Sequence, residues 1–151
     1  MKKILTVMLA AFLLLTGCAG KLTAEEYREL LLESSKAYSS QQWEICVKLL
    51  EGDGADFQTM KACVDDARTA LEKLSQLDPP VEYSGQHKAI CDAMAPEKLW
   101  LDTIEKIADN GEFTQELEQE VVQHAEDSEF FEFILATLKR MRDDGVSDEL
   151  V

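Results

Sequence analysis

The chain has 151 residues, 15 basic and 30 acidic, giving a net charge of −15 with 46% hydrophobic residues. A surface of that sign repels phosphate backbones and argues against a nucleic-acid partner. The length suits a single domain with its own core.

The first element is a leader. Lys2 and Lys3 precede an apolar run from Ile4 to Leu15, and small residues follow. This is the plan of a secretory signal. The run is about a dozen residues, against the roughly 20 that a spanning helix needs, so an uncleaved anchor helix is the weaker alternative. Leu15-Thr16-Gly17-Cys18 matches the lipobox of bacterial lipoprotein signal peptides at all four positions. The resemblance implies removal of residues 1–17, a thioether-linked diacylglyceryl group on Cys18, and often a further acyl chain on the new amino terminus. Two or more chains anchor a protein stably. Ala19 rather than Asp after the cysteine implies the outer membrane in a Gram-negative host. Cleavage leaves 134 residues with 13 basic and 30 acidic side chains, a charge of −17. The acidic residues read as dispersed among apolar ones, a solvated face rather than a block. Residues 18–22 form a short tether, roughly 17 Å when extended, so the domain sits close to the bilayer.

The bundle domain is expected over residues 23–144. Thr23 and Glu26 have capping-box spacing at the start of the first helix. Tyr27, Leu30, Leu31, Tyr38, Ile45 and Leu49 form its stripe, and Gly52 and Gly54 end it after roughly 40 Å. The second helix carries Phe57, Met60, Val64, Ala67, Leu71 and Leu74 at alternating spacings of three and four. Asp78-Pro79-Pro80 stops it. Ser84 is the expected cap of the third helix, with Ile90, Met94, Leu101, Ile104 and Ala108 inward and a kink or restart at Pro96. Thr114 caps the fourth, whose seam reads Leu117, Val121, His124, Ser128, Phe131, Leu135 and Leu138. Gly145 begins an acidic tail over 145–151, expected to fray. The predicted fold is all-α, an antiparallel up-down four-helix bundle. The Asp78-Pro79-Pro80 turn followed by His87 resembles small uncharacterised helical-bundle lipoproteins, a resemblance that implies no activity.

Three cysteines remain beyond Cys18. If the first two helices fold back near residue 53, Cys46 and Cys63 differ in height by roughly 3 Å, whereas Cys63 and Cys91 differ by roughly 9 Å. The spacing predicts a Cys46–Cys63 disulfide with Cys91 free; the alternative is three buried thiols acting as small apolar residues. His87 and Cys91 have the i, i+4 spacing of a ligand pair, but His124 falls roughly 18 Å away and the pair lacks further zinc ligands. No metal or resident cofactor is expected. The chain carries neither Glu-x-x-His pairs, nor a Gly-x-Ser-x-Gly elbow, nor a phosphate-binding glycine loop, so no enzyme is expected.

Phe130, Phe131, Phe133, Ile134 and Leu135 make the fourth helix apolar over more than one seam. Either two helices press on it with Phe131 inward, or exposed Phe130 and Phe133, with Trp43, form a partner surface. The sequence thus points to a lipid-anchored envelope module, non-catalytic, that binds an unidentified envelope protein. The alternative is a small-ligand or metal carrier using the interior near His87, Cys91 or His124. The short tether sets Thr23 and Asp78 at the membrane end, and the turns at 52–56 and 109–114 at the far end.

Overall fold

The structure, a computed structural model, describes residues 21–51 and 55–146. The expected lipobox with Cys18, the expected stop at Gly52 and Gly54, and the tail beyond Val146 lie outside the described residues. Every regular element among the described residues is helical. None of these helices is long and apolar enough to cross a membrane. The described residues form four helical stretches, the last two interrupted. They comprise α1 (Ala24–Leu50), α2 (Phe57–Ser75), α3 (Ser84–Asp92) with α4 (Met94–Asn110), and α5 (Gln115–Glu126) with α6 (Phe130–Asp143). A 3-10 turn, Val81–Tyr83, leads into α3.

α1 starts on its capping box. Thr23 Oγ1 accepts from the Glu26 N–H at 3.2 Å, and the Glu26 carboxylate accepts from the Thr23 N–H at 2.9 Å. Those bonds hold the exposed Glu26 carboxyl below its ordinary range. Tyr27, Leu31, Tyr38 and Ile45 are wholly buried. Asp56 caps α2 by accepting from the Thr59 N–H at 3.0 Å. The α2 seam lies inward as its spacing requires, with Met60, Val64, Ala67, Leu71 and Leu74 at 2% exposure or less. Leu22, just before α1, donates its N–H to the Asp78 carbonyl at 3.2 Å, tying the start of α1 to the chain beyond the end of α2.

Ser84 does not cap α3. Tyr83 holds that position without a side-chain bond, and Ser84 Oγ instead donates to the Val81 carbonyl at 2.7 Å. Helix α3 ends at Asp92, Ala93 intervenes, and α4 begins at Met94 with Pro96 in its first turn. There proline's missing N–H is one that has no intrahelical partner anyway. Gly111 ends α4 at φ 67°, a left-handed conformation that glycine adopts without strain.

The fourth stretch departs from its expected seam. Helix α5 stops at Glu126, and α6 begins at Phe130 after three intervening residues. Ser128 Oγ accepts from the Phe130 N–H at 3.3 Å. The break resets the phase of the second half. Phe130, Ile134, Thr137 and Met141 are buried, while Leu135, expected inward, is 66% exposed. Residues 107–138 hold nine acidic side chains, interleaved with apolar ones, and no Lys or Arg. Helix α5 sits in the middle of that stretch and has no buried residue.

Helix α1 packs on α2, α2 on α4, α4 on α5, and α3 on α6. One continuous core joins α1, α2, α4 and α6. On its surface Lys61 pairs with Asp109 at 2.5 Å, and Arg68 with Asp102 and Glu105 at 2.6 and 2.8 Å.

Candidate functional site

Two buried polar groups lie within this core. The first joins the start of α1 to α3. Tyr27 stacks on Tyr83 with ring centroids 6.3 Å apart and meets His87 edge-on at 5.7 Å. The Tyr27 hydroxyl and His87 Nδ1 are 3.1 Å apart, and His87 Nε2 lies 3.5 Å from Cys91 Sγ. One turn of helix separates His87 from Cys91, which sets both groups on one face. Tyr83 donates to Asp144 at 3.1 Å beneath the Arg140 guanidinium, which sits 5.6 Å from the ring centre.

Burial sets the protonation of this group. It pushes the Tyr27 hydroxyl well above its ordinary value and raises the Cys91 thiol. It also lowers His87, against the opposing pull of the Ser75 backbone and Asp78. A raised thiol beside a lowered imidazole is a pair of neutral groups, not the thiolate–imidazolium pair of a cysteine nucleophile. Both ring nitrogens have partners within the protein, and these contacts link α1 to α3.

The second group centres on Glu97, only 3% exposed. Its carboxylate accepts from the Tyr38 hydroxyl on one oxygen and from Ser128 Oγ on the other. Burial, then the charge of Glu97, hold the Tyr38 phenol protonated as a donor far above its ordinary range. Tyr38 also meets Phe130 edge-on at 5.5 Å and Phe131 at 6.0 Å. A buried carboxylate needs donors to offset its lost hydration. Here three helical stretches supply and hold the arrangement: Tyr38 from α1, Glu97 from α4, and Ser128 from the break before α6. Sequence reasoning missed this site, yet the signal was available. Between Met94 and Leu101 the α4 seam has its next position at residue 97, where a charged residue stands in an apolar row.

The residues singled out from sequence fare differently. Phe130 is wholly buried against Tyr38 and Phe131 and so forms no partner surface. Phe133 is half-buried in an open groove of about 450 Å³ between α3 and α6, beside Gly85, Ala89, Ala136 and Thr137. Trp43 is 69% exposed. Cys46, Cys63 and Cys91 are free thiols, so the expected Cys46–Cys63 bridge is not formed. Matching height is not matching azimuth. The α1 groups that act on Cys63 are Glu44 and Lys48. Each stands two residues from Cys46 and hence about 200° round the helix from it. Burial raises all three thiols.

His124 is half-buried on α5 and takes no part in the His87 group. Among the described residues no three His, Cys, Asp or Glu side chains gather as a metal site. No family model matches the chain, and neither curated proteins nor solved structures give a match.

Proposed function

We propose that the chain is a lipid-anchored module of a bacterial cell envelope that works by binding a protein rather than by catalysis. The observation that carries this reading is Leu15-Thr16-Gly17-Cys18, with helix α1 starting only six residues after Cys18. The anchor is the acylated Cys18. The membrane is the outer one in a Gram-negative host and the cell membrane in a Gram-positive one.

The body is an antiparallel up-down bundle standing on one end. Support for the alternating directions comes from paired contacts. On α2 and α4, Lys61 meets Asp109 while Arg68 meets Asp102, so numbers rise on one helix as they fall on the other. Glu97 with Ser128 and Thr103 with Glu120 repeat the pattern for α4 and the chain after it. Support for the membrane end comes from the bond between Leu22 and Asp78, which gathers the tether and the Pro79-Pro80 corner. Support for binding over catalysis comes from the two polar groups, whose members spend their hydrogen bonds on one another, and from Trp43, whose indole is left to the solvent.

Fractionation of host cells tests the reading. The wild-type chain should sediment with membranes, and Cys18→Ala should move it to the soluble extracytoplasmic fraction. A Cys18→Ala chain that stays with membranes sinks the anchor.

A further inference from the structure

Helix α3 carries a pair of soft donors that the fold already aims at each other. His87 is only 7% exposed. Cys91, a free thiol one turn along the same helix, is partly exposed, and its Sγ lies 3.5 Å from His87 Nε2. The ring is held from the other side by Tyr27 of α1, which is wholly buried. That ring meets His87 edge-on, and its hydroxyl lies 3.1 Å from Nδ1. The Ser75 backbone also draws on the imidazole. A proton on Nδ1, given to the Tyr27 hydroxyl, leaves the Nε2 lone pair directed at the thiol. An outer hydrogen bond that fixes tautomer and aim in this way is what stands behind the histidine ligands of metal ions.

We propose that Cys91 Sγ and His87 Nε2 form a two-coordinate site for a soft monovalent cation, copper(I). The ion takes the place of the proton between them. The Sγ–H bond breaks, the proton leaves to solvent, and bonds form from the ion to Sγ and Nε2 with no change of oxidation state. Thiolate sulfur is the ligand that selects copper(I). Ligand number selects against zinc, which takes four partners, whereas no third His, Cys, Asp or Glu joins this pair among the described residues.

Charge agrees with that choice. A thiolate, a neutral imidazole and a monovalent ion sum to zero. The charges acting on the two donors cancel as well, Lys88 and Lys98 against Asp78 and Asp92. A divalent ion would leave one positive charge uncompensated beside the core. Reach agrees too. Metal bonds of roughly 2.0 Å to nitrogen and 2.3 Å to sulfur set two opposed donors roughly 4.3 Å apart. The thiol therefore has to withdraw by roughly 0.8 Å from its hydrogen-bonded position. Tyr27 holds the ring, so that movement falls to Cys91, the less buried of the two.

The test uses the full chain carrying Cys18→Ala, so its outcome does not depend on the anchor. Reduced protein is titrated anaerobically with copper(I) against a chromophoric chelator. One equivalent should be retained, be lost in Cys91→Ser, and be held about tenfold or more weakly in His87→Gln. Cys46 and Cys63 remain as free thiols in both variants and serve as the control. Copper retained by Cys91→Ser, or an affinity unmoved by His87→Gln, overturns the site. So does zinc(II) bound as tightly as copper(I). X-ray absorption on the loaded parent should show one nitrogen and one sulfur around copper. Should either variant lose its helical circular dichroism, that spectrum decides, and coordination by sulfur alone overturns the proposal.

Discussion

Helices α2 and α5 are built to the same local plan and end up in different situations. Each opens on an oxygen-bearing cap, Asp56 and Thr114, that accepts from the third N–H of its helix. Each has one apolar side. Yet α2 buries seven residues and α5 buries none. The reason is the number of neighbours. Helix α2 lies between α1 and α4, while α5 rests chiefly on α4 and belongs to the acidic stretch. Amphipathic spacing tells which side of a helix turns inward, and the neighbours decide how deep that side goes. Stability should be correspondingly uneven, with α5 opening first.

The largest effect should come from a matched pair of truncations. Leu71→Ala, at a site 2% exposed on α2, should cost about 2–5 kcal/mol in denaturant unfolding. Val121→Ala, half-buried on α5, should cost about 1 kcal/mol. Equal costs would break the contrast between the two helices.

A smaller effect should come from the fastening between α5 and the body. Ser128, at the foot of α5, bonds to Glu97, which also accepts from Tyr38. Tyr38→Phe removes one donor from a buried carboxylate and should cost about 1–3 kcal/mol. Ser128→Ala should speed amide exchange in α5 more than in α2, as read by hydrogen-exchange mass spectrometry. Uniform acceleration in both helices would show that α5 does not open separately.

The smallest effect should be a pH dependence belonging to the body. Burial lowers His87 below its ordinary 6.5, so the unfolded chain takes up the proton first. Stability is full above pH 6.5 and declines as pH falls from 6.5 toward the lowered folded value. Thermal unfolding between pH 7 and 5 should show this decline, and His87→Gln should flatten it. A slope unchanged by His87→Gln would place the titration elsewhere.

Much of the fold was legible because its signals are local. The capping box at Thr23, the α2 seam, the cap at Thr114 and the stop at Pro79-Pro80 each depend on residues within a turn or two. The fourth stretch was read only in part because a three-residue interruption shifts helical phase: Phe130 and Ile134 are buried beside the half-buried Phe131, and Leu135 turns outward. The disulfide was misjudged for a related reason: residue counting measures height along a helix and not rotation about its axis. Glu97 went unremarked because a carboxylate on an apolar seam looks like an exception until its two donors arrive from distant segments.

From sequence alone came the helical class, most element boundaries set by caps and prolines, the excess of negative charge and the Leu15-Thr16-Gly17-Cys18 motif on which the proposed anchor rests, all properties of composition or short spacing. Only the tertiary structure decided which aromatic rings are inside, that His87 joins Tyr27 to Cys91, that Glu97 is satisfied by Tyr38 and Ser128, and that Trp43 and Leu50 are left outside. Those outcomes depend on contacts between residues some 30 to 60 positions apart. Such contacts are set by how whole helices rotate and pack, which no local pattern specifies.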